Sequence, residues 1–138
     1  MTGYLIDTNV ASEMRKPKPH GGALTWLQSL DLGQGFFSAV TFGEIQKGVE
    51  LTRLQDPAKA HELEVWTARL ESASQVLPMT AACFREYARL IHGKSDTIRE
   101  DAMIAATARV HGLTVATRNE RDFRSFSVPV FNPFRFTV

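Results

Sequence analysis

A chain of 138 residues, 43% hydrophobic and 22% charged, fits one globular domain spanning 1–138; this composition excludes a disordered, fibrous or disulfide-stapled class. Lys and Arg number 16 against 15 Asp and Glu, and the net charge of +1 excludes a protein that grips nucleic acid by bulk charge alone. Cys83 is the only cysteine, no apolar run approaches the roughly 20 residues that cross a bilayer, and the amino end lacks the pattern of a secretory signal; a cytoplasmic, membrane-free setting is therefore expected.

The elements follow in chain order. Tyr4-Leu5-Ile6 is a short apolar run that stops at Asp7 and reads as a buried strand. Residues 8–16 pattern as a helix, stopped by Pro17 and Pro19. Arg15-Lys16-Pro17-Lys18-Pro19-His20 is then a basic, proline-stiffened loop, and 23–30 is a short helix with leucines at helical spacing. Residues 35–40 read as a second strand. Thr41 opens a helix to about residue 54, and Thr41 and Glu44 have the S/T-x-x-E spacing of a capping box. Pro57 starts a helix through residue 70, with Leu63, Trp66 and Leu70 as a stripe that reads as core or, alternatively, as part of a groove for a partner helix. Residues 76–79 form a third strand, 80–91 a helix, 93–97 a polar break, and 98–110 an alanine-rich helix ended by Gly112. Residues 113–116 are a fourth strand, 117–124 a polar loop with a helical turn, and 128–131 a fifth strand that Pro129 places on an edge. Alternating strands and helices predict a parallel sheet with helices on both faces.

In such a sheet, ligands bind beyond the carboxyl ends of the strands. Asp7 follows strand one directly, and Glu44 lies one helical turn past strand two. Asp101 opens the helix leading into strand four, and Asn119 and Asp122 follow that strand. Singly, each acid has an ordinary explanation: an N-cap for Asp7, the capping box for Glu44, a first-turn position for Asp101 and a loop for Asp122. Their joint placement at one edge is what points to chemistry. Clustered carboxylates repel and raise one another's pKa. A hard divalent cation, magnesium or manganese, relieves that conflict, polarises a phosphate and lowers the pKa of water.

The histidines His20, His61, His92 and His111 have no ligand-pair spacing and read as surface residues, with His20 a weak candidate for nucleic-acid contact; Cys83 reads as a buried filler. Arg118 and Arg121 flank the acidic edge and are the better candidates to meet phosphates, ahead of Arg15, Lys16, Lys18 and Lys47; a solvated charged loop explains each about as well.

These segments resemble a known family. Leu5-Ile6-Asp7-Thr8-Asn9-Val10 is similar to the opening motif of PIN-domain nucleases, and Ser38-Ala39-Val40-Thr41-Phe42-Gly43-Glu44 to their second. Glu100-Asp101-Ala102-Met103-Ile104-Ala105-Ala106-Thr107-Ala108 resembles the third, D-x-x-I-A-A-T-A. Val115-Ala116-Thr117-Arg118-Asn119-Glu120-Arg121-Asp122-Phe123 resembles the fourth, T-R-N-x-x-D-F, and Val130-Phe131-Asn132-Pro133-Phe134 is similar to the ending of VapC-type and FitB-like toxins. The resemblance implies a PIN-like three-layer α/β/α sandwich with a five-stranded, mainly parallel sheet. It implies the toxin of a type II toxin–antitoxin pair: a homodimer with a cognate antitoxin, and a magnesium- or manganese-dependent endoribonuclease whose relatives often cut tRNA. It makes Asp7, Glu44 and Asp101 metal ligands, with Asn9 and Thr117 orienting the first carboxylate. The fourth position is Asp122, with Asn119 supporting, although some relatives carry an acid where this chain has Asn119.

Two rival readings stay open at this level. An aspartyl-phosphate phosphatase commonly has a second acid two residues after its nucleophile, where this chain has Asn9. A degenerate PIN fold or receiver-like module would bind partners without cutting RNA.

Overall fold

The computed structural model describes residues 2–137; the two end residues of the predicted 1–138 unit lie outside them. Strands β1 (Tyr4–Ile6), β2 (Gly35–Ser38), β3 (Val76–Leu77), β4 (Thr114–Ala116) and β5 (Val130–Phe131) form one sheet in the order β3-β2-β1-β4-β5. Every pairing is parallel, with Leu5 opposite Phe36 on one side and Val115 on the other. The order reverses at β1, so a crevice opens at the carboxyl ends of β1 and β4, where open α/β sheets bind ligands.

Helices α1 (Thr8–Glu13), α2 (Gly21–Ser29), α3 (Ala39–Arg53), α4 (Pro57–Ala73), α5 (Ala81–Ile91), α6 (Arg99–His111) and α7 (Glu120–Arg124) cover the sheet. Alternation along the strands divides the core in two. Leu5 and Val115 face a cluster with Ile104, Ala105, Ala108, Phe123 and Phe126. Ile6, Phe37 and Ala116 face the opposite one, with Val10, Ala11 and Trp26. Both faces are buried, which is why the strands read as unbroken apolar runs and not as alternating patterns. On α6, Ala102, Ala105, Ala106 and Ala108 are fully buried; their small side chains let the helix lie close to the sheet.

The sequence placed every strand, and Gly112 ends α6 in the left-handed region at φ 67°, as its position predicted. A Cβ added there would meet no atom within 4 Å, so only backbone strain opposes it. Gly112→Ala is expected to cost about 1 kcal/mol of stability, read from a denaturant midpoint with unchanged slope.

Several helix boundaries differ. The helix after β2 begins at Ala39, not at Thr41, and its N-cap is Ser38, whose hydroxyl accepts from Val40 N. Thr41 is therefore buried inside the first turn, and the predicted Thr41–Glu44 capping box does not form. Helix α1 also stops at Glu13, short of residue 16, and α4 runs three residues past the predicted 70. The helical turn expected within 117–124 is α7. Leu63, Trp66 and Leu70 are half-buried, and Cys83 is fully buried. Among the described residues, no helix is long and apolar enough to cross a membrane.

Candidate active site

Because β2, β1 and β4 are neighbours, the residues that follow them share one edge. Asp7 lies at its centre and is only 4% exposed. The backbone places it there: Asp7 N donates to Ala116 O at 2.9 Å, carrying the β1–β4 pairing one residue past the strand. Oδ1 accepts from Thr8 N at 2.8 Å as the N-cap of α1. Oδ2 accepts from Thr117 Oγ1 at 2.7 Å and from Asn9 Nδ2 at 3.1 Å. One oxygen thus caps α1, and the other takes the donors of Asn9 and Thr117.

Glu44 faces this edge from α3. Freed from the capping box, its Oε1 accepts from Thr8 Oγ1 at 2.7 Å, and Thr8 Oγ1 stands 3.2 Å from Thr41 Oγ1. Two clefts meet at Glu44. One of about 220 Å³ is walled by Thr8, Ser12 and Arg15; the other, of about 370 Å³, is walled by Lys47, Phe84, Glu100 and Met103.

Asp101 and Asp122 approach from α6 and α7, and Asn119 joins them. Its Nδ2 donates to Asp101 Oδ2 at 3.2 Å and to Asp122 Oδ2 at 2.9 Å, while its backbone N–H donates to Thr117 Oγ1 at 2.9 Å. Thr117 Oγ1 therefore accepts from Asn119 and donates to Asp7, linking the two halves of the edge.

Electrostatics also tie these acids together. Burial pushes the Asp7 carboxyl above the usual carboxylate range, against the Thr117 hydroxyl and the Thr8 N–H, which hold it down. Burial likewise raises Glu44; the Thr8 hydroxyl opposes the rise, and the charges of Asp7 and Glu100 add to it. Asp101 is pushed up to about 7, chiefly by burial and then by the charges of Asp7, Glu44, Asp122 and Glu100. Among the described residues, none of Asp7, Glu44, Asp101 and Asp122 forms an ion pair.

An oxygen-only set of under-neutralised carboxylates is the chemistry a hard divalent cation satisfies. As placed, the acids accept from neutral donors: Asp101 and Asp122 share the Asn119 amide, and Asp7 and Glu44 share Thr8. Among the described residues, no three acidic, histidine or cysteine side chains are gathered into a ready-made ligand group.

The predicted basic residues divide. Arg15 lines the cleft beside Glu44, whereas Lys16 turns to Glu13 at 2.9 Å. The Arg118 backbone N–H donates to Asn9 Oδ1 at 3.2 Å, and Arg121 is exposed on α7. His20 caps α2, its Nδ1 accepting from Ala23 N. Sequence reasoning missed Thr8, which holds Glu44, and Glu100, which adds negative charge to the same edge. The signal for both was adjacency: each neighbours a recognised acid at the start of a helix.

The chain matches the PIN domain family over residues 4–128. It is 36% identical over 137 residues to Toxin FitB of Neisseria gonorrhoeae, covering 94% of this chain and 97% of that protein. It is 31% identical over 140 residues to VapC ribonuclease Y4jK of Sinorhizobium fredii, covering 94% and 96% respectively. A solved structure of FitAB bound to an IR36 DNA fragment superposes with a TM-score of 0.81 at 35% identity, covering 98% of both chains.

Proposed function

The chain belongs to the PIN-domain family, and from that premise we propose that it is the toxin of a toxin–antitoxin pair, a metal-dependent endoribonuclease acting as one unit over 1–138. The observation that carries the reading is that Asp7, Glu44 and Asp122 act by charge on Asp101 at one strand edge, while none of the four is in an ion pair among the described residues and only Lys47 lends Glu44 a cationic influence. Its relatives bear the names of a toxin and a ribonuclease, which supports the same reading.

Asp7, Glu44, Asp101 and Asp122 are the residues to hold magnesium or manganese. Bound there, the ion supplies charge stabilisation to a phosphodiester and lowers the pKa of water. The protein supplies orientation. Asn9 and Thr117 fix Asp7 through its Oδ2; Thr8 steadies Glu44, whose role would be to position a water or take its proton. Asn119 spaces Asp101 from Asp122. No protein nucleophile is needed: water attacks phosphorus, the P–O3′ bond breaks, the 3′-oxygen leaves and is protonated, and the ends are 5′-phosphate and 3′-hydroxyl. The Asn9 amide on Asp7 Oδ2 stands where an aspartyl-phosphate enzyme commonly has an acid. The protein works in the cytoplasm as a homodimer restrained by a cognate antitoxin, with tRNA as one substrate class.

The test is incubation of antitoxin-free protein with total RNA, in magnesium or manganese against a chelator, followed by sequencing of the cut ends. Ion-dependent cuts at defined sites support the reading; absence of any cleavage by folded protein overturns it. Thr117→Val keeps the side-chain shape but removes a donor to Asp7 and the acceptor for Asn119 N. It is expected to lower cleavage about 10- to 100-fold, measured under single-turnover conditions.

A further inference from the structure

Glu13 is a carboxylate that the proposed chemistry does not use, yet it is only 6% exposed. At the end of α1 it gathers the basic loop. Its Oε1 accepts from Lys16 Nζ at 2.9 Å, and its Oε2 accepts from His20 N at 2.9 Å. The Lys16 hydrogen bond and the His20 N–H hold its carboxyl below the usual range. Its third neighbour is Arg118 Nη2, at 3.7 Å.

Arg118 is held from a second side. Its guanidinium carbon lies 3.7 Å from the centre of the Phe134 ring, in a cation–π stack. Phe134 in turn meets the His20 ring edge-on at 5.2 Å. The stack occupies one face of the guanidinium. Among the described residues, its edge makes no hydrogen bond, and the side chain is 54% exposed. A planar cation stacked on one face, faced by Glu13 at one Nη and otherwise open at its edge, is suited to a phosphate. It is also adjacent to the acid edge, because its own backbone N–H holds the Asn9 that orients Asp7.

Resting on the ribonuclease reading, we infer that Arg118 clamps an RNA phosphate beside the scissile one, and that Glu13 and Phe134 are positioning residues that fix its guanidinium for that contact. The strand then runs from the acid edge past Arg118 toward the basic loop, where Arg15 and Lys18 are exposed. An acidic edge repels the RNA backbone, so a fixed cation at its flank supplies binding that the carboxylates cannot.

The experiment measures binding of a fluorescein-labelled single-stranded RNA to antitoxin-free protein in chelator, across a salt series. Single-turnover cleavage in magnesium or manganese is measured in parallel. Arg118→Ala is expected to weaken RNA binding about tenfold and to reduce the slope of log affinity against log salt by about 1. Saturated cleavage rates should change far less. Arg118→Lys, which keeps the charge on a surface residue, should recover the salt slope but not the full affinity. Phe134→Leu should follow Arg118→Ala part of the way, and Phe134→Tyr should restore binding by restoring the stack. Glu13→Gln should lower affinity without changing the salt slope.

If wild-type protein cleaves RNA but Arg118→Ala binds with unchanged affinity and slope, the clamp is overturned and the nuclease reading survives. Weakened antitoxin binding with intact RNA binding would likewise overturn it, assigning the guanidinium to the protein partner. If folded wild-type protein neither binds nor cleaves RNA, the nuclease reading falls first and the clamp with it.

Discussion

Asp7→Asn and Asp101→Asn are each expected to reduce RNA cleavage about a thousandfold or more while leaving the chain folded. Asparagine keeps the shape of the side chain and removes its charge. Losing one anionic ligand from a hard-cation site removes several kcal/mol of charge stabilisation, and each 1.36 kcal/mol is a factor of ten in rate. The fold should tolerate the change because the fold already disfavours the charge: burial raises both carboxyls, and Asp101 is further raised by its acidic neighbours. In Asp7→Asn the new amide oxygen can still accept from Thr8 N, preserving the cap on α1. The check is single-turnover cleavage beside circular dichroism and thermal melting. Near-normal cleavage by either folded variant would remove these residues from the chemistry.

Divalent ions should stabilise the protein strongly at pH 8 and weakly at pH 5. Asp7, Glu44 and Asp101 all titrate higher in the fold than in the unfolded chain. The folded state therefore binds more protons. Its advantage from these groups is fully present below the ordinary carboxylate range and is lost as pH rises through the folded values, up to about 7 for Asp101. In chelator, the melting temperature should fall between about pH 5 and pH 8. A cation that binds only the ionised cluster restores stability by mass action, and each kcal/mol is worth about 3–5 °C in a domain of this size. Manganese or magnesium should thus raise the melting temperature several degrees at pH 8, with the gain shrinking toward pH 5 and absent in Asp101→Asn. A pH-independent gain would indicate binding elsewhere.

The shared edge of Asp7, Glu44 and Asp122 was legible because each comes soon after a strand, and strand ends in a parallel sheet are set by short apolar runs; Asp101 instead opens the helix before β4. Tyr4-Leu5-Ile6 stops at Asp7, and the alanine-rich α6 with its terminal Gly112 left little choice of register. The start of α3 was not legible. Phe36-Phe37-Ser38-Ala39-Val40 crosses from strand to helix with no turn residue between, and Thr41–Glu44 imitates a capping box two residues inside the true helix start. His20 is exposed, as expected, but its role as an N-cap was not legible: histidine is an uncommon N-cap, so an imidazole nitrogen serving Ala23 N leaves no sequence signature. Glu13 could be paired with Lys16 from spacing alone, but its enclosure depends on Arg118, Phe134 and the fold of the basic loop, which lie far away in the chain. The single-residue signals that failed were those whose meaning is decided by distant neighbours.

Three consecutive residues divide their labour by direction. The Thr117 hydroxyl reaches Asp7, the Arg118 side chain turns to Phe134 and Glu13, and the Asn119 amide reaches Asp101 and Asp122. Deleting or inserting one residue here would turn the guanidinium inward among the acids and send the amide outward. The tripeptide should therefore tolerate conservative exchanges of side chain far better than any change in its length. Among related chains, gaps should collect in the basic loop and avoid the step out of β4.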